Sequence, residues 1–174
     1  IFSALILSDD TTPNLKQRIA NKAQSAGLLI AGANGMGFYN VRDRVLAGGF
    51  DTRDHPYPGN VALISQSGAG MSGIVDCEQR IQFNFAVSSG YELTVAMEDY
   101  LDYALDLPET RVVGLFLETS RYPEKLIKAF KKANQRNIPI VVLKVGRTDL
   151  AAELAISHSG ALAGSDQCYS ALFD

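Results

Sequence analysis

Apolar positions along the chain fall into short runs and helical stripes that alternate through its middle and C-terminal parts. "NVALIS" (60–65) is a compact apolar run bounded by Pro58, Gly59 and Ser65. "FNFAVSS" (83–89) is β-prone with partial alternation, and "VVGLFLE" (112–118) and "IPIVVLK" (138–144) are continuous apolar runs. Runs of this length without polar interruption suit parallel strands covered by helices on both faces. Between them lie helical patterns. Residues 93–106 put Met97, Leu101, Ala104 and Leu105 on one stripe. Residues 122–137 put Leu126, Ile127, Phe130 and Ala133 on another, with Pro123 in the first turn and Asn137 at the stop. A weaker helix is predicted over 69–80, where Gly70 and Gly73 lower helix propensity. Strand and helix in alternation predict an α/β fold with a doubly wound, mostly parallel sheet.

The first 40 residues read as the tail of a separate unit. Thr12 and Pro13 open a helix with the stripe Leu15, Ile19, Ala23 and Ala26, and Gly27 stops it. A short strand over 28–32 and a Gly-rich turn over 33–40 follow, and residues 40–58 read as irregular. The predicted division is therefore 1–55 and 56–174, with the boundary near 55–59. The chain opens on "IFSALIL", mid-domain material without an initiating Met, so further chain is expected before position 1, with room for more after 174.

Composition narrows the function classes. The 174 residues are 47% hydrophobic and 20% charged, ordinary for a globular protein. A net charge of −3 without a basic cluster argues against nucleic acid as a partner. No apolar run approaches the roughly 20 residues of a membrane span. The two cysteines, Cys77 and Cys168, form neither a metal spacing nor a disulfide framework, so no metal site is expected, and a reducing, cytoplasmic setting is.

Three stretches could carry chemistry. In "LISQSGAGMSG" (63–73) a buried strand runs into Ser65, Gln66, Ser67 and Gly68 and then into a helix. Helix N-terminal amides and the dipole favour an anion there, although Ser67 as a plain helix cap explains the same residues. Gly68, Gly70 and Gly73 spell G-x-G-x-x-G, but inside the helix and not at its mouth, and there is no Walker lysine. In "ISHSGALAGSD" (156–166), His158 sits where a loop hands over to a helix. A neutral imidazole is a competent nucleophile toward phosphorus; a solvated histidine is the plainer reading. Glu118 ends a strand, where doubly wound sheets bind ligands and where a carboxylate can fix an imidazole tautomer; it reads equally as a solvated glutamate. His55 reads as structural or solvated, Tyr91 as ambiguous, and Glu92, Glu98 and Asp99 as helix-surface charges.

Taken together, "GNVALISQSGAG", "AVSSGYELTVAMEDYLDYALDLPETRVVGLFLE", "LKVGRTD" and "SHSGALAGSD" resemble, in order and spacing, the NDP-forming acyl-CoA synthetases, relatives of the succinyl-CoA synthetase alpha subunit. "AGLLIAGANGMGFYN" resembles the segment closing that family's CoA-binding domain. The resemblance implies a flavodoxin-like CoA-ligase domain preceded by the tail of a Rossmann-like CoA-binding domain. By position it implies that His158 is transiently phosphorylated and that Glu118 supports it. Ser65, Gln66, Ser67, Gly68, Ser159 and Gly160 are implied to hold phosphate, and Asn34 and Gly35 to lie near substrate and CoA. It further implies a carboxylic acid or acyl-CoA substrate, CoA, and ATP (or GTP) with Mg²⁺ handled mainly by an ATP-grasp domain or subunit outside this chain, within an oligomer. The chain by itself is not expected to turn over.

The chain departs from the family pattern at Gly32, Ala33, Asn34, Gly35, Met36 and Gly37, where the family usually reads "GPNCxG". It departs again at Ser67 to Met71 and at Gly90, Tyr91, Glu92 and Leu93, where the family has "SGALG" and "GNEA". These changes fall on the acyl and CoA-thiol side and leave the histidine intact, which implies altered substrate choice before loss of phosphotransfer. The alternative expectation is an acyl-CoA-binding regulatory or protein-acetyltransferase module on the same architecture.

Overall fold

The structure, a computed structural model, describes residues 2–3, 14–145 and 169. Its elements in chain order are β1 (Phe2–Ser3), α1 (Leu15–Ser25), β2 (Ala31–Gly32), β3 (Gly37–Asn40), β4 (Val45–Gly48) and β5 (Val61–Ser65). They continue with α2 (Gly68–Cys77), β6 (Phe83–Ser88), α3 (Met97–Asp106), β7 (Val112–Leu117), α4 (Pro123–Gln135) and β8 (Ile140–Lys144). β1 and β2 form a small parallel pair, and the other six strands form one sheet in the order β4-β3-β6-β5-β7-β8. β6, β5, β7 and β8 are mutually parallel, while β3 runs antiparallel to both β6 and β4. The parallel part thus has the flavodoxin-like order, second-first-third-fourth, and the order in which strands are added reverses between β5 and β7.

Alternation along the central strands explains why helices cover both faces. Ala62 and Ile64 of β5 pack with Val113, Leu115 and Leu117 of β7 against α3 and α4. Leu63 of β5 and Ala86 of β6 point the other way, onto Met71 and Val75 of α2. The stripe Met97, Leu101, Ala104 and Leu105 is wholly buried, worth roughly 1.5–3 kcal/mol for each large side chain. In α4 the buried line is Leu126, Ala129 and Ala133; Ile127, expected on the stripe, lies at its solvent margin.

Two expectations need correction. Residues 40–58 are not irregular throughout: a hairpin pairs Gly37–Asn40 with Val45–Gly48 and lays β3 along β6 from Gly37 opposite Ser88 to Asn40 opposite Phe85. Its turn is held by Asn40, whose Oδ1 accepts from the Asp43 amide at 3.0 Å and whose Nδ2 donates to Asp43 Oδ2 at 2.9 Å. The six-stranded sheet therefore takes two strands from the N-terminal side of position 55. Second, α3 starts at Met97 and not at 93. The Leu93 amide donates to Gly32 O and the Ile30 amide to Thr94 Oγ1, so tertiary bonds hold this stretch off the helix. Asp99 then accepts from the Ala96 amide at 3.0 Å and closes the first turn.

His55 is buried, with its ring edge-on to Tyr39 and Phe83 at centroid distances of 5.4 and 6.0 Å. Burial, assisted by the Arg53 charge, holds its pKa below 6.5. The neutral ring is the folded form. Its contribution to stability is complete above pH 6.5 and is lost as pH falls through the lower folded-state value. Denaturant unfolding at stepped pH should therefore show wild-type stability declining below pH 6.5, and His55→Leu should flatten that decline.

Candidate functional site

The carboxyl ends of β5, β6 and β7 converge on one edge of the sheet. There the chain continues as the β5–α2 loop, the β6–α3 loop and the β7–α4 loop. Backbone ladders carry on past the strand ends: the Ser89 amide donates to Ser65 O at 2.9 Å and the Gln66 amide to Phe116 O at 3.1 Å. Ser65 is fully buried. Its Oγ donates to Ser67 O at 2.7 Å and accepts from the Ser67 amide at 3.1 Å. Ser67 is the N-cap of α2, and its Oγ accepts from the Gly70 amide at 3.1 Å. Both hydroxyls thus shape the helix mouth. The groups left for an anion are the Gly68 and Ala69 amides, which have no partner among the described residues. Such a mouth, with the helix dipole behind it, fits a phosphoryl group.

Gln66 joins this mouth to the β7 end. Its Oε1 accepts from the amides of Glu118 at 2.7 Å and Thr119 at 2.9 Å. Its Nε2 donates to Thr119 O at 2.7 Å and to Glu92 Oε1 at 2.9 Å. The bridge spans the point between β5 and β7 where the strand order reverses, the crevice that binds ligands in sheets of this order. The Glu118 carboxylate is half-buried and has no hydrogen-bond or ion-pair partner among the described residues. It is free to accept an incoming N–H.

Asn34 and Gly35 reach the same edge. A Cβ on Gly35 would lie 2.8 Å from Ser88 O, and one on Gly68 would lie 2.6 Å from Met36 Cγ. The 33–36 segment is therefore packed against the end of β6 and the mouth of α2. His158, Ser159 and Gly160 lie outside the described residues.

Two carboxylates expected on the surface belong to this region instead. Glu92 is 7% exposed and Glu98 is 1% exposed. Glu92 takes four hydrogen bonds: Oε1 accepts from Gln66 Nε2, Ser89 Oγ (2.7 Å) and the Met97 amide (3.2 Å), and Oε2 from Arg121 Nε (2.8 Å). Burial pushes its carboxyl above the ordinary range, while Gln66, Ser89 and Arg121 pull against that shift. Glu98 Oε1 accepts from Ser120 Oγ and, at 3.1 Å, from the Tyr122 amide. Together the two acids tether the β7–α4 loop. The signals were present in the sequence. Glu92 follows a strand end as Glu118 does, and Glu98 shares a helix face with Leu101 and Leu105 at i, i+3 and i+7. Asp99, as expected, is a surface charge, paired with Lys125 at 2.7 Å. Tyr91 is buried under the Lys16 ammonium, 3.7 Å from its ring centre.

Beside this edge a cleft of about 270 Å³ opens between α1 and the loops, bordered by Lys16, Tyr91, Leu93, Arg121 and Tyr122. The Glu92 carboxylate also lines it, paired with Arg121 at 2.8 Å, and Lys16 lies over the Tyr91 ring. Among the described residues no group of three or more His, Cys, Asp or Glu is placed to hold a metal ion. No described helix is long and apolar enough to cross a membrane.

Residues 58–174 match the family described as succinyl-CoA ligase like flavodoxin domain. Similar proteins include an ADP-forming acetate–CoA ligase of Methanocaldococcus jannaschii, 34% identical over 91% of this chain and 22% of that protein. The alpha subunit of ADP-forming acetate–CoA ligase II of Pyrococcus furiosus is 31% identical over 91% of this chain and 34% of that subunit. Among solved structures, the dinucleotide-forming acetyl-coenzyme A synthetase 1 of Ca. Korarchaeum cryptofilum, in complex with phosphate and ADP, superposes with a TM-score of 0.84. It is 29% identical, over 99% of this chain and 38% of that one. The chain thus spans about a fifth to a third of the length of these curated relatives.

Proposed function

Because the chain belongs to the NDP-forming acyl-CoA synthetase family, we propose that it is the phosphoryl-transfer part of an ADP-forming (or other NDP-forming) ligase that joins a carboxylic acid to CoA. The observation that carries this reading is the Gln66 bridge. It sets an anion-ready helix mouth beside a carboxylate that has no partner among the described residues, at the point where ligands bind in sheets of this order.

In this reading an imidazole nitrogen of His158 takes the terminal phosphoryl group of ATP or GTP and releases the NDP. The phosphoryl group then passes to the oxygen of the carboxylic acid, giving an acyl phosphate and free His158. The CoA thiolate attacks the acyl carbon, and phosphate leaves as acyl-CoA forms. The Glu118 carboxylate accepts the other imidazole N–H and steadies the charge of the phosphorylated ring. The Gly68 and Ala69 amides receive phosphoryl oxygens, a task that Ser159 and Gly160 share in this reading. Asn34 and Gly35 border the acyl and CoA side. Residues 1–55 then close a CoA-binding domain and 56–174 form the ligase domain, whose sheet also takes in the hairpin of residues 37–48. Nucleotide and Mg²⁺ fall to an ATP-grasp partner in an oligomeric, cytoplasmic enzyme.

The test uses the complete protein with CoA, ATP, Mg²⁺ and a panel of short carboxylic acids. ADP, phosphate and acyl-CoA should appear in equal amounts. Acyl transfer to protein lysines without any CoA ligation would replace this reading with that of an acetyltransferase module.

A further inference from the structure

The pattern of donors and acceptors around Gln66 gives Glu92 a task in this site, an inference that rests on the functional reading above. A carboxamide can turn over with little change in volume, exchanging its acceptor for its donor. At Gln66 that exchange would point an NH₂ group at two backbone N–H groups, those of Glu118 and Thr119. A carboxylate only accepts, so Glu92 admits the Gln66 nitrogen and repels its oxygen. The Thr119 carbonyl makes the same choice, but it belongs to the loop that is being placed. Glu92 is anchored elsewhere, by Ser89 at the end of β6 and by the Met97 amide at the start of α3. Its side chain is wholly buried. The Arg121 guanidinium neutralises it from the β7–α4 loop, and Glu98 and Tyr100 of α3 are the other ionisable groups facing it.

We propose that Glu92 is a positioning residue for phosphoryl transfer: through the Gln66 carboxamide it sets where Glu118 stands relative to the mouth of α2. Three loops meet at that one side chain, so its charge registers strand end against helix mouth. Glu92 touches neither reacting group in this scheme; it acts by holding the group that holds Glu118.

The test is a double-mutant cycle in the complete protein, with Glu92→Gln, Gln66→Ala and both together. Glu92→Gln keeps the volume but offers Gln66 a donor as readily as an acceptor. Expected is a fall in kcat of about 10–100-fold with KM for ATP unchanged, the cost of a small misplacement. The double variant should be no slower than Gln66→Ala alone, because both act through one contact. Hydrogen–deuterium exchange should quicken in the peptide carrying Glu118 and Thr119 and stay unchanged in α4. Multiplying effects in the double variant, or exchange rising evenly over the whole domain, would overturn the proposal. Should Glu92→Gln not fold, Ser89→Ala removes one donor from Oε1 and leaves every charge in place. Unchanged exchange of that peptide in this variant would overturn the proposal as well. Absence of ligase activity in the wild type would count against the proposed function, whereas the exchange comparison still decides the role of Glu92.

Discussion

His158→Ala in the complete protein should abolish the label that the wild type acquires from γ-labelled ATP and Mg²⁺. A phosphoryl group on imidazole nitrogen is labile in acid and stable in base, whereas one on serine survives acid and one on a carboxylate is lost in base, so the chemistry of the label identifies its carrier. Loss should be complete, since a methyl group offers no nucleophile. Glu118→Gln tests the second half of the same idea. It keeps shape and loses charge, so label should still form, more slowly by about 10²–10⁴-fold, the usual worth of a positioned proton acceptor. Quenched-flow measurement of label against time separates the two. Undiminished label in His158→Ala would move the phosphoryl acceptor to another residue. Normal labelling in Glu118→Gln would leave that carboxylate without a task.

Gly90→Ala should be strongly damaging at this edge. Gly90 has φ +63°, and a Cβ there would lie 2.1 Å from Ala33 O and 2.8 Å from the Gly35 amide nitrogen. Both obstacles are backbone, so no side chain can swing aside. The left-handed conformation costs a non-glycine residue about 1–3 kcal/mol, and forcing the 33–35 segment outward adds a comparable ~1–3 kcal/mol. The displaced segment carries Asn34 and Gly35, and the Tyr91 amide would lose its bond to Ala33 O. Thermal unfolding should show a markedly lower Tm. If some protein still folds, its KM for CoA should rise more than its kcat falls, because the proposed function puts Asn34 and Gly35 on the CoA side of the site. An unaltered Tm would mean that the two segments do not pack as described.

The parallel core was readable in the sequence because its information is local. Uninterrupted apolar runs at 61–65 and 112–117 and a clean stripe from Met97 to Leu105 each state their own burial, whereas the run at 140–144, the last strand in the sheet order, exposes Val141 and Leu143. The hairpin was not readable, because its partner is remote. Phe38 and Tyr39 sit between glycines and polar residues, and only pairing with β6 more than forty positions later makes them a strand. The start of α3 was misplaced for the same reason: bonds from Leu93 and Ile30 across the 30–33 segment override a helical pattern. In the site, Ser65 to Gly68 were found as a helix mouth, but the division of labour within it was not. Sequence distinguishes poorly between a hydroxyl that holds a ligand and one that caps, and Ser67 caps. Glu92 and Glu98 were assigned to solvent because a carboxylate is usually exposed; donors from separate loops reverse that.

The β3–β4 hairpin bears on how far this ligase domain is a movable unit. A boundary at residue 58 looks natural, since the family match begins there. A chain severed at that point would leave the β6 edge from Phe85 to Ser88 without the neighbour that now satisfies it. Bare, apolar strand edges recruit other chains. The protein's modularity therefore does not coincide with its sequence boundary: a gene fusion or truncation that respects the sheet must carry residues 37–48 along with the rest.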